Sequence, residues 1–377
     1  MDWTQCNRDD AAAWLRLTLV PGVPPRRLRK LLAALGSPQQ LLATPQAQVA
    51  AIAGEDVARA LAAGADPDAV AATLRWLEAD DHHLIALHDP RYPPRLLEIA
   101  SPPLVLYAVG RPQLALAPSI AIVGSRNATA RGRMDAETFA RTLSDAGLVI
   151  VSGLALGIDA AAHRGGLAGH GSSVAVLGNG ADVRYPRDNR ALAEALERGG
   201  CVISEFPLGT APTPDNFPRR NRLISGLARG VFVVEAAPES GSLITARCAL
   251  EQNREVFAMP GSIHSLFARG CNELIKEGAT LVADANDILR ELGCKPAPAS
   301  PCRRAERDPL LRAMGHAPVS LDDLAEATGI EVARVAARIT RLELAGRVAP
   351  LAGGRFQRLD RNESVMPGRD DAKRVIE

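Results

Sequence analysis

Between residues 119 and 283 the sequence carries a series of short runs that are apolar almost throughout: IAIV, LVIVS (148–152), SVAVLG (173–178), CVIS (201–204), VFVVEA (231–236), EVFAMP (255–260) and TLVA (280–283). They are continuous, not alternating, so each must be covered on both faces. Stretches of helical length separate them. Strands of this kind alternating with helices specify an α/β fold with a doubly wound, mostly parallel sheet. Such sheets bind ligands beyond the carboxyl ends of their strands. The small and polar residues of this chain collect there: Gly124-Ser125-Arg126, Ser152-Gly153, Gly178-Asn179-Gly180, Ser204-Glu205 and Glu239-Ser240-Gly241-Ser242.

The first of these turns follows Ile120–Val123, and the pattern predicts a helix over 133–147 after it. A small-residue turn between strand and helix directs backbone N–H groups at a helix N-terminus, where an anion is favoured. Arg126, Arg131 and Arg133 add positive charge, with no acid between Ala117 and Met134. A second basic stretch, 214–230, carries Arg219, Arg220, Arg222 and Arg229 against Asp215, with Phe217 two residues before the arginines and Asn221 among them. Gly241 and Ser242, with Asn272 and Lys276 further on, add amide donors and a cation. The expectation is a track for a polyanionic backbone along one sheet edge.

Other chemistries fit less well. GSRNATARG does not supply the GxGxxG of a dinucleotide site, and no GxxxxGK[ST] loop is present, so no nucleotide cofactor is expected. Ser152, Asp159 and His163 are close in sequence, but no GxSxG elbow accompanies them. Asp159 suits the start of a helix and His163 a hydrogen bond to a neighbouring loop. No catalytic residues are therefore assigned. The six cysteines form no CxxC pair, which argues for reduced cytoplasmic thiols and against a metal site. No apolar run approaches a membrane span, and MDWTQCNRDD is not a signal peptide. A net charge of +1 says nothing of nucleic acid by itself, so the sign has to be read locally.

The flanks differ in character. Residues 1–80 read as a helical domain: Leu28, Leu31, Leu32 and Leu35 line one face, while Arg26, Arg27, Arg29 and Lys30 fill the rest of that helix. With VPGVPP before it, the segment resembles a helix-hairpin-helix (SAM-like) unit, or else a small helical packing domain. LIAL (84–87) and LVLYAV (104–109) read as strands leading into the sheet, whose domain is taken as 82–293. A Pro/Ala linker occupies 294–307. Over 308–360 a winged-helix pattern follows, with a Ser320/Asp323 capping box and an apolar stripe of Val332, Val335, Ile339 and Leu342. Arg334, Arg338 and Arg341 would face duplex DNA or an acidic partner, and Gly353-Gly354 would turn a two-stranded wing. The tail 361–377 is expected to be disordered.

The succession IVGSR, SGLALGIDAAAH, GNGADVRYPRDN, SEFPLG, FPRRNRLISGL, VVEAAPESGSLITA, MPG and GCNELIKEGA resembles the DprA/Smf family of DNA-processing proteins, continuously and in order over about 85–290. The resemblance implies an extended Rossmann-like domain that binds single-stranded DNA, forms a homodimer and loads the recombinase RecA in natural transformation. On that basis Gly124, Ser125 and Arg126, with Phe217, Arg219, Arg220, Asn221 and Arg222, would hold the strand. Gly241, Ser242, Asn272 and Lys276 would line the same pocket. Two alternatives stand beside it. One is a nucleoside-monophosphate phosphoribohydrolase-like enzyme using Glu235 or Glu239; the other is a transcriptional regulator built on the winged helix.

Overall fold

A computed structural model describes residues 3–297, 308–315, 318–351 and 353–359. Most of the linker expected at 294–307 and the whole tail 361–377 lie outside the described residues.

Six helices come first: α1 (Trp3–Thr18), α2 (Pro25–Leu35), α3 (Pro38–Ala43), α4 (Gln46–Ala53), α5 (Glu55–Ala63) and α6 (Pro67–Trp76). The stripe on α2 is buried at Leu28, Leu31 and Leu32. Its cations are spent on backbone carbonyls. Arg27 donates to Ala53 O at 3.1 Å and Lys30 to Ile52 O at 2.8 Å, which satisfies the open carbonyls at the end of α4. Arg29 donates to Pro102 O at 2.9 Å. Of the four cations placed along a helix-hairpin-helix surface, this leaves Arg26 exposed and without an acceptor among the described residues.

The middle of the chain runs β1 (His82–Ala86), α7 (Pro94–Leu97), β2 (Val105–Gly110), β3 (Ser119–Val123), α8 (Ala130–Asp145), β4 (Val149–Ser152), α9 (Ile158–Ala168) and β5 (Ser173–Val176). It continues through α10 (Arg190–Gly199), β6 (Cys201–Ser204), α11 (Asn216–Leu227), β7 (Gly230–Val233), α12 (Gly241–Glu251), β8 (Glu255–Ala258), α13 (Leu266–Lys276), β9 (Thr280–Leu281) and α14 (Ala285–Glu291). The strands form one nine-stranded sheet in the order β1-β2-β6-β5-β4-β3-β7-β8-β9. From β6 to β9 all pairings are parallel, while β2 joins β6 and β1 joins β2 antiparallel. β3 lies between β4 and β7, so the chain winds outward from it in both directions.

Each apolar run explains its strand. Ile120, Ile122, Phe232 and Phe257 are fully buried towards α8, α9 and α14, and Val123, Val151, Val176 and Ile203 towards the opposite layer. Each such side chain contributes about 1.5–3 kcal/mol on leaving water. Trp14 and Leu31 share a cluster with Val105, Tyr107 and Val202, so the N-terminal helices pack on the sheet, and residues up to Ala297 make one compact unit.

A second unit contains α15 (Pro309–Met314), β10 (Val319–Ser320), α16 (Leu321–Thr328), α17 (Val332–Leu344), β11 (Val348–Leu351) and β12 (Arg355–Arg358). Its sheet runs β10-β12-β11, a winged-helix architecture. The Ser320/Asp323 capping box is formed. Val335 and Ile339 join its core, whereas Val332, expected in the stripe, is exposed. Arg338 pairs with Asp308 at 2.9 Å, leaving Arg334 and Arg341 outward on α17. Among the described residues no helix is long and apolar enough to cross a membrane.

Candidate nucleic-acid interface

The turn after β3 is closed by contacts that need glycine. A Cβ on Gly124 would lie 2.6 Å from Ile158 Cγ1, and one on Gly157, at φ +78°, 2.2 Å from Ser125 O. Ser125 N–H donates to Glu235 O at 2.6 Å, and Ile158 N–H to Ser125 O at 3.2 Å. The turn is thus bolted to the end of β7 and the start of α9. Its Ser125 amide is not free for an anion.

The helix that follows starts three residues earlier than expected, and its N-terminus is already occupied. Thr129 caps α8, its Oγ1 accepting from Gly132 N–H at 2.9 Å. The Glu235 carboxylate accepts from Thr129 N–H at 2.9 Å and from Thr129 Oγ1 at 2.6 Å. Burial raises this carboxyl and the Thr129 hydrogen bonds pull it back. A protein carboxylate therefore fills the seat expected for a phosphate. Arg133 is turned to Ala128 O at 2.6 Å and Arg131 to Asp135 at 2.8 Å. Among the described residues, Arg126 alone of the three extends from the turn without a carboxylate or carbonyl acceptor.

Arg220 also departs from expectation. It is 3% exposed, and Nη1 donates to Gly153 O at 2.7 Å and to Val176 O. So placed, the guanidinium first ties together the loop ends of β4 and β5. Desolvation lowers it to about 10, while the charge of Asp159 acts to raise it. Asp159 in turn accepts from Gly153 N–H at 3.1 Å and Ala155 N–H at 3.4 Å. Burial raises its carboxyl, opposed by Arg220. His163 completes the cluster. Ser173 Oγ donates to Ile150 O at 2.7 Å, so His163 Nδ1–H donates to Ser173 Oγ at 2.8 Å, and Nε2 accepts from Leu154 N–H at 3.2 Å. The ring is neutral, pushed down to about 3 by burial and the nearby arginines. Ser152 Oγ is committed to Ile122 O at 2.7 Å. Ser152, Asp159 and His163 are struts, each aimed at backbone.

The exposed chemistry lies above this cluster. The Arg126 guanidinium sits 5.2 Å from the Phe217 ring centroid, and the Tyr185 ring 5.9 Å from that of Phe217, tilted by 35°. Gly178 admits Phe217, since a Cβ there would meet its ring at 2.8 Å. Further along α11, Arg219 is half exposed, with its guanidinium 5.0 Å from the Phe206 centroid and Nε 3.4 Å from Glu205 Oε1. Arg222 is more enclosed and ion-pairs with Glu205, also donating to Ser101 O at 2.6 Å. Its charge is neutralised there, so it is a weaker phosphate ligand than expected. Asn221 is buried, donating to Gly241 O at 3.3 Å. The sequence singled out neither Tyr185 nor Phe206, and it marked Glu205 only as part of the polar carboxyl edge. The sign of their role was their place in the loops after β5 and β6, at the same carboxyl edge.

The remaining candidates divide. Gly241 is exposed at the start of α12, but Ser242 is buried, its hydroxyl 2.7 Å from that of Ser240. Asn272 and Lys276 line a cleft of about 430 Å³ with Arg247 and Arg269, and none of Gly124, Ser125, Arg126, Phe217 or Arg219 lines it. Asn272 closes a loop through both N–H···O bonds to Gly261, at 3.0 and 3.2 Å, and Lys276 pairs with Glu273. They do not share the pocket of Arg126. Among the described residues no group of three or more His, Cys, Asp or Glu side chains could hold a metal ion.

The chain is thus an α/β protein with a doubly wound, mostly parallel sheet, followed by a winged-helix unit. Residues 83–293 match the family model of DNA recombination-mediator protein A, and 294–354 match that of the DprA winged helix domain. The chain belongs to the DprA/Smf family. Protein Smf of Escherichia coli is 44% identical over 298 residues, 76% of this chain and 80% of that protein. The X-ray structure of DprA from Streptococcus pneumoniae superposes with a TM-score of 0.66 at 37% identity, covering 74% of this chain and 97% of that one. DprA of Helicobacter pylori, whose structure is described for its single-stranded DNA binding mode, superposes with a TM-score of 0.51 at 29% identity, covering 56% and 95%.

Proposed function

We propose that this protein binds single-stranded DNA at the carboxyl edge of its sheet and does so without breaking a bond. The observation that carries the reading is the row Arg126–Phe217–Tyr185, with Arg219 on the same helix. It sets outward cations beside aromatic rings, which suits phosphates and unpaired bases together. Family membership and the single-stranded DNA binding mode described for the Helicobacter pylori relative support it. The hydrolytic alternative is disfavoured because Glu235 is held by Thr129, and Glu239 stands exposed to water.

Family membership also supports a finer role: protecting the strand as a homodimer in the cytoplasm and loading RecA onto it during natural transformation. Titration with single strands, duplexes and nucleoside monophosphates tests the binding. Tight, salt-sensitive binding of single strands and no release of free base is the expected result; release of base overturns it. For the finer role, the rate of RecA filament assembly on a strand already coated by single-strand-binding protein should rise when this protein is added.

A further inference from the structure

Tyr92 and Tyr107 are buried, at 4% and 1% exposure, whereas Tyr185 is 41% exposed, the one aromatic among the large apolar side chains that face water in the described residues. Its exposure is not that of a slack loop. Asn179 Nδ2 holds Val183 O at 2.8 Å on one side, and Asn189 Nδ2 holds Leu154 O at 2.9 Å and Ala155 O at 3.1 Å on the other. Between these clamps Arg184 ion-pairs with Glu197, and Arg187 is exposed with no partner in the described residues. The fold therefore displays an anchored aromatic ring next to Phe217, two residues before an exposed cation. A hydrophobic ring gains nothing from such a position in an unliganded protein.

We propose that Tyr185 is a second nucleobase platform, so that the site takes two successive unpaired bases, one at Phe217 and the next at Tyr185, with Arg187 near the intervening or following phosphate. The inference rests on the single-strand reading above and extends it. Every base offers a π face, so the platform is indifferent to sequence. A paired duplex has no base to offer it. Selectivity for single strands thus follows from the rings, while the arginines supply charge for either form.

The test uses the full chain and an oligothymidine strand. Tyr185→Leu keeps an apolar side chain at the small cavity that Tyr185 lines with Leu154, Leu177 and Val183, but removes the π face. Stacking is worth enough that this variant should bind about tenfold more weakly. Tyr185→Phe should bind as the parent does. The salt slope should be unchanged in Tyr185→Leu, because no phosphate contact is lost. A strand of abasic sites with the same phosphates should bind parent and Tyr185→Leu alike. Equal binding of oligothymidine by Tyr185→Leu and parent overturns the inference, as does an equal loss in Tyr185→Phe. If the parent itself binds no single strand, the functional reading fails along with it; if the parent binds and Tyr185→Leu is unaffected, the platform alone fails.

Discussion

Arg220 Nη1 lies 2.7 Å from the carbonyl oxygen of Gly153, sixty-seven residues away in sequence. Gly153 has no Cβ to obstruct it; one placed there would come within 2.6 Å of the guanidinium. That contact makes Arg220 part of the frame under the binding row. Replacing it with methionine leaves Asp159 buried without its countercharge and two carbonyls without a donor. Unfolding free energy should fall by about 3–5 kcal/mol. All three tryptophans precede residue 80, so the urea midpoint read by their fluorescence reports on the sheet-bearing unit. An unshifted midpoint would show that the charge is dispensable to the frame.

Arg126 and Arg219 are outward and carry no such duty. Alanine at either position should weaken single-strand binding several-fold and lower the magnitude of the salt slope by about 0.7, the share of one phosphate. The urea midpoint should stay where it is. Binding that survives both substitutions removes the strand from this edge.

Glu205 is a buried acid beside two cations, its side chain 4% exposed. Simple charge counting says that removing it strengthens DNA binding. Its geometry says the reverse, because it fixes Arg222 and steadies Arg219 over Phe206. Glu205→Gln should therefore bind single strands several-fold more weakly although the site has become more positive. Tighter binding in the same titration would sink the positioning role.

The imidazole of His163 is depressed to about 3 in the fold from 6.5. Below the ordinary value the unfolded chain takes up a proton that the folded chain refuses. Its contribution to stability is therefore complete above pH 6.5 and is lost as pH falls towards 3, with a slope of up to about 1.4 kcal/mol per pH unit. Asp159, raised in the fold, acts with the opposite sign at the acid end. Comparing urea midpoints of the parent and His163→Gln across this range isolates the histidine; parallel curves would contradict a neutral buried ring.

The strands were legible because burial on both faces of a parallel sheet demands continuous apolar runs. CVIS maps onto β6 without adjustment, and VFVVEA overshoots β7 only at its carboxyl end. The capping box at Ser320 was equally plain, being a contact between neighbours in sequence. The fate of each arginine was not legible. Arg126, Arg219, Arg220 and Arg222 look alike as letters, yet one lies over a ring, one is half exposed, one is buried and one is neutralised. The helix N-terminus offered to phosphate by the turn after β3 is taken by Glu235, which arrives from the far end of β7.

By itself the sequence determined the α/β class, the succession of strands and helices, and the gathering of polar loops at the carboxyl edge. These follow from the local period of apolar residues and from turn chemistry, which act over a few residues. Tertiary structure decided which cations remain available. Desolvation and hydrogen-bond partners set that, and both come from segments tens to more than a hundred residues distant that meet only once the sheet has closed.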